Sequence, residues 1–156
     1  MSSAQESFGL WIGTLARSWR SEVDRRLAVF GLTESRWLTL FHLSRMDGPV
    51  TQRELADAMG VRAPTLVHIL DRLENEGLVE RSTAEADRRS NSLRLTRKAG
   101  PVLQRIAATT AEVRGEIFAG IPDADIDTCL RVFETLADRL GGRARPIRDA
   151  PDRKRR

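Results

Sequence analysis

Apolar side chains recur every three or four residues in six stretches of the chain, and every second residue in one short stretch. The first period is that of one face of an α-helix, and the second is that of a half-buried β-strand. The first two helices are predicted over residues 5–29 and 33–46, and the last two over residues 102–117 and 122–140. The pattern therefore predicts a mainly α-helical (α+β) fold with one small β-hairpin.

The middle of the chain carries the signals of a helix-turn-helix. Thr51 and Glu54 match the T-x-x-E capping box that starts a helix, and this helix ends after about eight residues at Gly60. Pro64 then occupies the first turn of another helix, where its missing N–H is tolerated. The inner face of that helix carries leucine or isoleucine at 66, 69, 70 and 73. Two short helices joined by a glycine turn predict a helix-turn-helix.

Two strand candidates, residues 78–81 and 92–96, follow and enclose a polar, charged segment. Leu93 and Leu95 alternate with polar neighbours in the second of them. Strands joined by a protruding charged tip predict a two-stranded β-wing. The central unit is therefore expected to be a winged helix-turn-helix with additional helices on both sides.

Composition narrows the classes of protein that fit this pattern. The 156 residues suit one domain with a small appendage, and 40% hydrophobic and 31% charged residues are typical of a globular protein. No stretch approaches the roughly 18 apolar residues of a membrane span, and the N-terminus lacks the pattern of a signal peptide. One cysteine rules out an internal disulfide, and two histidines leave too few ligands for a metal site. We therefore expect a cytoplasmic protein with no membrane contact, metal or cofactor.

The net charge of +4 is concentrated at the C-terminus. Residues 141–156 carry seven Arg or Lys and two Asp, a net of +5, so the rest of the chain sums to −1. Global charge alone therefore does not indicate a nucleic-acid-binding protein. This segment has no apolar period, so we expect a disordered basic tail.

Five runs of residues resemble one known family in the same order. They are LARSWRSEVDRRL (15–27), GLTESRWLTL (31–40), TQRELADAMGV (51–61), PTLVHILDRLENEGLVER (64–81) and DRRSNSLRLTRKAG (87–100). Together they resemble the MarR family of winged helix-turn-helix transcriptional regulators, and its SlyA-like branch in particular. The resemblance implies a regulator that binds double-stranded DNA and is not an enzyme.

A polar stripe lies opposite the leucine face of the second helix of the helix-turn-helix, formed by Pro64, Thr65, His68 and Arg72. Such a helix fits the major groove and presents its N-terminal residues to base edges. Thr65 and the helix N-terminus suit a phosphate, while His68 and Arg72 suit base or phosphate acceptors. SlyA-like sequences commonly carry arginine where this chain has His68, so the resemblance gives no base preference at that position.

Asp87, Arg88 and Arg89 lie at the predicted wing tip. A carboxylate that holds an exposed arginine reduces the entropy lost on binding, and a narrow A·T-rich minor groove attracts arginine. The resemblance implies that Asp87 orients Arg89, that Arg89 enters the minor groove, and that Arg88 meets phosphate or the groove wall. A solvated run of charges is the alternative.

Long apolar faces remain on the first, fifth and sixth helices, because the small winged module cannot cover them. Pairing two chains through these faces forms a two-fold homodimer, with recognition helices about 34 Å apart in successive major grooves. The resemblance implies the same arrangement, and a monomeric helical pack is the alternative. The predicted segments are an N-terminal dimerisation helix (1–31), the winged domain (32–98), C-terminal dimerisation helices (99–140) and the tail (141–156).

The resemblance also implies a site for small aromatic carboxylic acids between the dimerisation helices and the winged domain. Residues in the matching segments are Arg17, Trp19, Arg20, Ser35, Trp37 and Phe41. An arginine beside aromatic rings suits a carboxylate attached to a ring. Aromatic side chains at helical spacing are also typical of a protein core, so a regulator without a small-molecule ligand is the alternative.

Other classes of function fit the sequence less well. No catalytic residue is assigned, because the sequence contains no G-x-S-x-G, P-loop, G-x-G-x-x-G or H-E-x-x-H motif. An acidic or apolar wing tip would favour a winged-helix adaptor that binds proteins, whereas this wing tip carries Asp87, Arg88 and Arg89. Cys129, in the last helix, is expected to be a small buried side chain rather than a redox sensor.

Overall fold

The computed structural model describes residues 3–83 and 91–141, which form helices linked to a small sheet. In chain order the elements are α1 (Ser3–Leu27), α2 (Glu34–Arg45), β1 (Val50–Thr51), α3 (Gln52–Met59), α4 (Ala63–Asn75), β2 (Val79–Thr83), β3 (Asn91–Leu95), α5 (Ala99–Ile117) and α6 (Asp123–Arg139). A short 3-10 turn, Ala28–Phe30, follows α1. The predicted helices and strands are all present, and the mainly α-helical winged fold with terminal helices is confirmed.

The ends of the helix-turn-helix follow from its sequence signals. Thr51 Oγ1 accepts a hydrogen bond from the Glu54 N–H at 3.2 Å, and Glu54 Oε2 accepts one from the Thr51 N–H at 2.8 Å. The backbone N–H of Thr51, followed by its hydroxyl, lowers the pKa of the Glu54 carboxyl. After α4, Gly77 adopts a φ of 73°, which allows the Leu78 N–H to bond the Leu73 carbonyl at 2.9 Å. Helices α3 and α4 are therefore the predicted pair.

The wing contains one more strand than the sequence predicts. The strand order is β1-β3-β2, and both pairings are antiparallel. Val50 of β1 lies opposite Leu93 of β3, and both side chains are buried. A strand of two residues has no measurable period, so its pairing is decided by the burial of Val50 and not by a local pattern. The additional strand joins the wing to the residue that caps α3.

One hydrophobic core lies behind α4 and unites most of the elements. Its fully buried side chains come from α1 to α5 and the wing strands, and include Val23, Leu27, Leu40, Leu55, Leu66, Leu70, Leu73, Val79, Leu93, Ile106 and Val113. Helix α5 runs from the wing and packs against both α2 and α1. The position of α4 is therefore determined by its contacts with α2, α3 and the wing strand β2.

Helix α6 lies largely outside this core. Ala137 is the one residue of α6 that is buried. Cys129 is exposed, so the expectation that it is a buried side chain is wrong for the single chain. The reason is that α6 has few neighbours in its own chain, so an apolar position in its sequence does not become a buried position.

Some predictions fall outside the described residues. They concern the wing-tip residues Asp87, Arg88 and Arg89, and the basic tail beyond residue 141. Among the described residues, no helix is long and apolar enough to cross a membrane.

Candidate nucleic-acid interface

Helix α4 has a buried face and an opposite exposed face, as its sequence predicts. Leu66, Leu70 and Leu73 are each 0% exposed and anchor the helix to the core. The predicted stripe of Pro64, Thr65, His68 and Arg72 is exposed along its whole length. Pro64 lies in the first turn of α4, where no intrahelical bond to its nitrogen is lost.

The polar side chains of this stripe are available to a ligand. Thr65, His68 and Arg72 make no side-chain hydrogen bond or ion pair with any residue that the structure describes. Nothing within that part of the protein has to be broken before these groups contact another molecule. Because an arginine and an imidazole project together from one helical face, the stripe suits phosphate and base acceptors.

An open groove runs beside the stripe, between the first turn of α2 and helix α4. Its volume is about 590 Å³, and its lining residues are Ser35, Arg36, Thr65, His68, Ile69, Asp71 and Arg72. Five of the seven lining residues carry a guanidinium, imidazole or hydroxyl group, and the other two are Ile69 and Asp71. The first turn of α2 therefore borders the exposed face of α4.

The C-terminal end of α4 is held by basic residues from three other elements. Arg36 of α2 forms an ion pair with Glu76 and donates to the Gly31 carbonyl at 2.7 Å. Lys98, just before α5, donates to the Glu76 carbonyl at 2.8 Å. Arg81 of β2 bonds two further carboxylates of α4. Sequence analysis missed these contacts, since they depend on how other elements pack against α4 and not on a local period.

The aromatic residues proposed for a ligand site are partly or fully packed. Trp37 is 4% exposed, and its indole N–H donates to Asp24 Oδ1 of α1 at 3.2 Å. The half-buried Trp19 ring packs edge-on against Phe118, with centroids 5.5 Å apart. The guanidinium of Arg45 lies 4.9 Å from the centroid of the half-buried Phe41 ring. Trp37 thus contributes to the contact between α1 and α2.

The polar residues of the same proposed site make three different sets of contacts. Arg17 is exposed and donates to Thr14 Oγ1 at 3.4 Å within α1. Arg20 Nε lies 3.7 Å from Glu34 Oε1, at the start of α2. Ser35 borders the groove beside α4, which the other proposed ligand residues do not line. The groove beside α4 therefore includes one residue of the proposed ligand set, Ser35.

A charged network links the N-terminal helix to α5. Arg26 Nε donates to Glu22 at 2.7 Å, and its Nη2 donates to Glu116 of α5 at 2.5 Å. Hydrogen bonds from Arg25 and Arg26 lower the pKa of the Glu22 carboxyl to about 2. The hydrogen bond from Arg26 also lowers the pKa of Glu116. The two predicted dimerisation segments are thus connected within one chain.

Comparison with known proteins places this geometry in a family. The MarR family model matches residues 30–90, which include α2, α3, α4 and the strands β1 and β2. The crystal structure of the transcriptional regulator PA3341 has 41% identity and a TM-score of 0.81, and the match covers 86% of this chain and 98% of that one.

Two more distant structures share the fold. CouR from Rhodococcus jostii RHA1, bound to p-coumaroyl-CoA, has 23% identity and a TM-score of 0.73, with 88% of this chain and 96% of that chain covered. The S. aureus MepR–DNA complex has 19% identity and a TM-score of 0.73, with 88% and 99% covered. At these identities the likeness concerns the fold alone. The match to PA3341 over nearly its whole length, together with the family model, shows that the chain belongs to the MarR family of winged-helix transcriptional regulators.

Proposed function

We propose that the protein is a cytoplasmic, homodimeric regulator that binds a pseudo-palindromic duplex operator in a sequence-specific manner. The observation that carries this proposal is the exposed stripe of Thr65, His68 and Arg72, opposite the buried leucines of α4. In this arrangement α4 enters the major groove, Thr65 and the helix N-terminus hold a phosphate, and His68 and Arg72 contact bases or phosphates. The DNA-bound MepR structure supports this use of the fold.

The wing supplies the second part of the proposed interface. Strands β2 and β3 leave the core next to α4 and lead to Asp87, Arg88 and Arg89. Arg89 enters the minor groove, Asp87 orients it, and Arg88 meets phosphate or the groove wall. Arg89→Ala is expected to cost about 1–3 kcal/mol of operator binding for each half-site, and Asp87→Ala less. Unchanged operator affinity of Arg89→Ala at about 0.15 M salt would show that the wing does not contact DNA.

The homodimer is supported by apolar surface at both ends of the chain. Exposed large side chains include Leu10 at 76%, Trp11 at 61% and Leu15 at 58% in α1, and Leu130 at 52%, Phe133 at 45% and Leu140 at 66% in or beside α6. Phe8 and Phe133 already lie 6.1 Å apart between ring centroids, so the two faces meet in one surface. A second copy of the chain covers such a surface by two-fold pairing.

Sedimentation tests the dimer directly. At micromolar concentration the protein is expected to have about twice the 17.5 kDa mass of the chain, both free and on DNA. A stable monomer that binds the operator with full affinity contradicts the dimer.

Release by small aromatic carboxylic acids is the regulatory part of the proposal. Support comes from Arg17, Arg20, Ser35, Trp37 and Phe41 in the matching segments, and from the aromatic acyl group of the CouR ligand. A second chain adds surface to this region, so the relevant cavity is that of the dimer.

Tryptophan fluorescence and operator affinity measure this response. Salicylate-like acids are expected to quench the fluorescence and raise the DNA dissociation constant several-fold at millimolar concentration. Trp37→Phe is expected to reduce the quench, and Arg17→Ala is expected to weaken binding of the acid. If a panel of acids changes neither signal up to about 10 mM, the regulator does not respond to this class of ligand.

Selection of genomic DNA fragments by the purified protein tests the central claim. An enriched inverted repeat, bound more tightly than a scrambled duplex in fluorescence anisotropy, is the expected result. SlyA-like sequences commonly carry arginine where this chain has His68. The base sequence of the enriched repeat therefore also tests whether the protein belongs with the SlyA-like regulators. If no sequence is enriched, a winged-helix adaptor that binds proteins explains the structure better.

A further inference from the structure

Arg81 of β2 joins the wing to the recognition helix. Its Nη2 donates to Asp71 Oδ1 at 2.7 Å and its Nη1 donates to Glu74 Oε2 at 2.6 Å. The Arg81 side chain is 21% exposed, and its Nε atom is buried. We call this contact the Asp71–Arg81–Glu74 bridge. Planar guanidinium donors diverge at a fixed angle, so one arginine that holds two carboxylates restricts direction as well as distance.

Strand alternation explains why Arg81 reaches α4. Side chains two residues apart in a strand point to the same side, so Arg81 shares its side with Val79, which is 2% exposed. Arg81 also lies opposite the buried Leu93 of β3. The bridge therefore begins on the inner side of the hairpin, and it fixes the strand that leads to the wing tip.

The carboxylates of the bridge lie close to the proposed DNA-contacting face. Asp71 lines the same groove as His68 and Arg72, and Glu74 is one turn further along α4. Negative charge in the last turns of a helix is unfavourable beside the helix dipole, and near DNA it repels phosphate. Arg81 compensates both carboxylates from the protein side of α4. Arg72 makes no side-chain hydrogen bond or ion pair among the described residues.

Building on the proposed function, we propose that Arg81 is a positioning residue for DNA specificity. The Asp71–Arg81–Glu74 bridge fixes the wing relative to α4, so that the major groove and the flanking minor groove are contacted in one register. Arg81 itself contacts protein and not bases. Its loss therefore acts on the selectivity of the protein for its operator over other DNA.

Charge and position are separable with two opposite variants. Arg81→Met removes the bridge and one positive charge, whereas the double variant Asp71→Asn/Glu74→Gln weakens the bridge and removes two negative charges. Glu80→Gln is the matched control, because Glu80 is exposed on the other side of the same strand. Each variant is measured on the selected operator and on a random duplex by fluorescence anisotropy, and hydroxyl-radical footprinting reports contact with the minor groove.

The double variant gives the sharpest expectation. It should bind random DNA more tightly, because each chain gains two units of positive charge, while its operator-to-random affinity ratio falls by about fivefold or more. Footprints should lose protection of the flanking minor grooves. Arg81→Met is expected to bind the operator about tenfold more weakly. Arg81→Lys is expected to restore the affinity for random DNA but not the operator-to-random affinity ratio. Glu80→Gln should strengthen both affinities slightly and leave the ratio unchanged.

Two results would overturn the inference, and they differ from failure of the proposed function. An unchanged operator-to-random ratio in the double variant, with the flanks still protected, shows that Arg81 acts only through charge. The second result is an operator-to-random affinity ratio that falls as much in Glu80→Gln as in the double variant. It would show that the loss of selectivity does not depend on the position of the bridge. If Arg81→Met does not fold, the double variant decides alone, since it keeps Arg81 with neutral amide partners. A wild-type protein that prefers no sequence contradicts the proposed function itself.

Discussion

Replacement of Arg72 by alanine isolates one proposed DNA contact. The Arg72 guanidinium is exposed and makes no hydrogen bond or ion pair with the described residues of its own chain. Its removal therefore leaves no carboxylate without its partner there. Alanine is also the strongest helix former, so the substitution does not weaken α4. A loss of operator affinity in Arg72→Ala then measures contact with DNA.

The magnitude follows from the two-fold arrangement. One base or phosphate contact is worth about 1–3 kcal/mol, and a dimer on a palindrome makes each contact twice. The expected loss is therefore about 2–6 kcal/mol, or roughly 30-fold to 10⁴-fold in dissociation constant. If Arg72 binds phosphate, the slope of log affinity against log salt concentration should fall by about 2. If it binds a base, the slope changes less and selectivity at that base relaxes.

Fluorescence anisotropy across a salt series measures both quantities. Arg114→Ala is the matched control, since Arg114 is an exposed arginine of α5 and its loss changes the net charge equally. Circular dichroism confirms that both variants are folded. Small and equal losses in Arg72→Ala and Arg114→Ala would refute the assignment, because they would show a general charge effect and not a contact made by α4.

Three further predictions concern the stability of the fold. Leu70→Ala should lower the free energy of unfolding, measured by urea titration, by about 2–5 kcal/mol, because Leu70 is 0% exposed. Its control is Val67→Ala, at a position 38% exposed, which should cost about 1 kcal/mol or less. Thr51→Ala should cost about 0.5–2 kcal/mol by removing the cap of α3, and an equal cost for Thr128→Ala, within α6, would contradict this explanation. The pKa of Glu22 is lowered from 4.5 to about 2, so the stability it contributes is complete above pH 4.5 and is lost as the pH falls toward 2. Glu22→Gln should flatten the unfolding profile over that range, and an unchanged profile would show that the α1 network does not persist in solution.

The local features of this fold were accessible from sequence because they depend on neighbouring residues. The capping box needs only Thr51 and Glu54, three positions apart, and the structure contains both of its hydrogen bonds. Gly77 terminates α4 because a positive φ is required there, a need confined to one residue. The polar and leucine faces of α4 likewise follow from the helical period alone.

Features that depend on distant residues were not accessible in this way. The partner of Arg81 on α4 is decided by how the hairpin folds back, and the alternation of β2 shows only which side Arg81 faces. The indole N–H of the buried Trp37 donates to Asp24 of α1, thirteen residues earlier, and no local pattern indicates this partner. Cys129 is exposed because such neighbours are missing: α6 has an apolar pattern, but little of its own chain packs against it. Periodicity shows that a face is apolar, and it does not show what covers that face.

The first turn of α2 connects the two halves of the proposed mechanism. Three consecutive residues there point in different directions, because each position in a helix is rotated by about 100° from the one before. Ser35 borders the groove beside α4, Arg36 forms an ion pair with Glu76 at the end of α4, and Trp37 donates to Asp24 of α1. A ligand that displaces this turn therefore acts on the recognition helix and on the N-terminal helix at once. A full switch between two states requires roughly 5.5 kcal/mol of differential affinity, so under the proposed function we expect a weakly bound acid that moves this turn to cause only partial release from DNA.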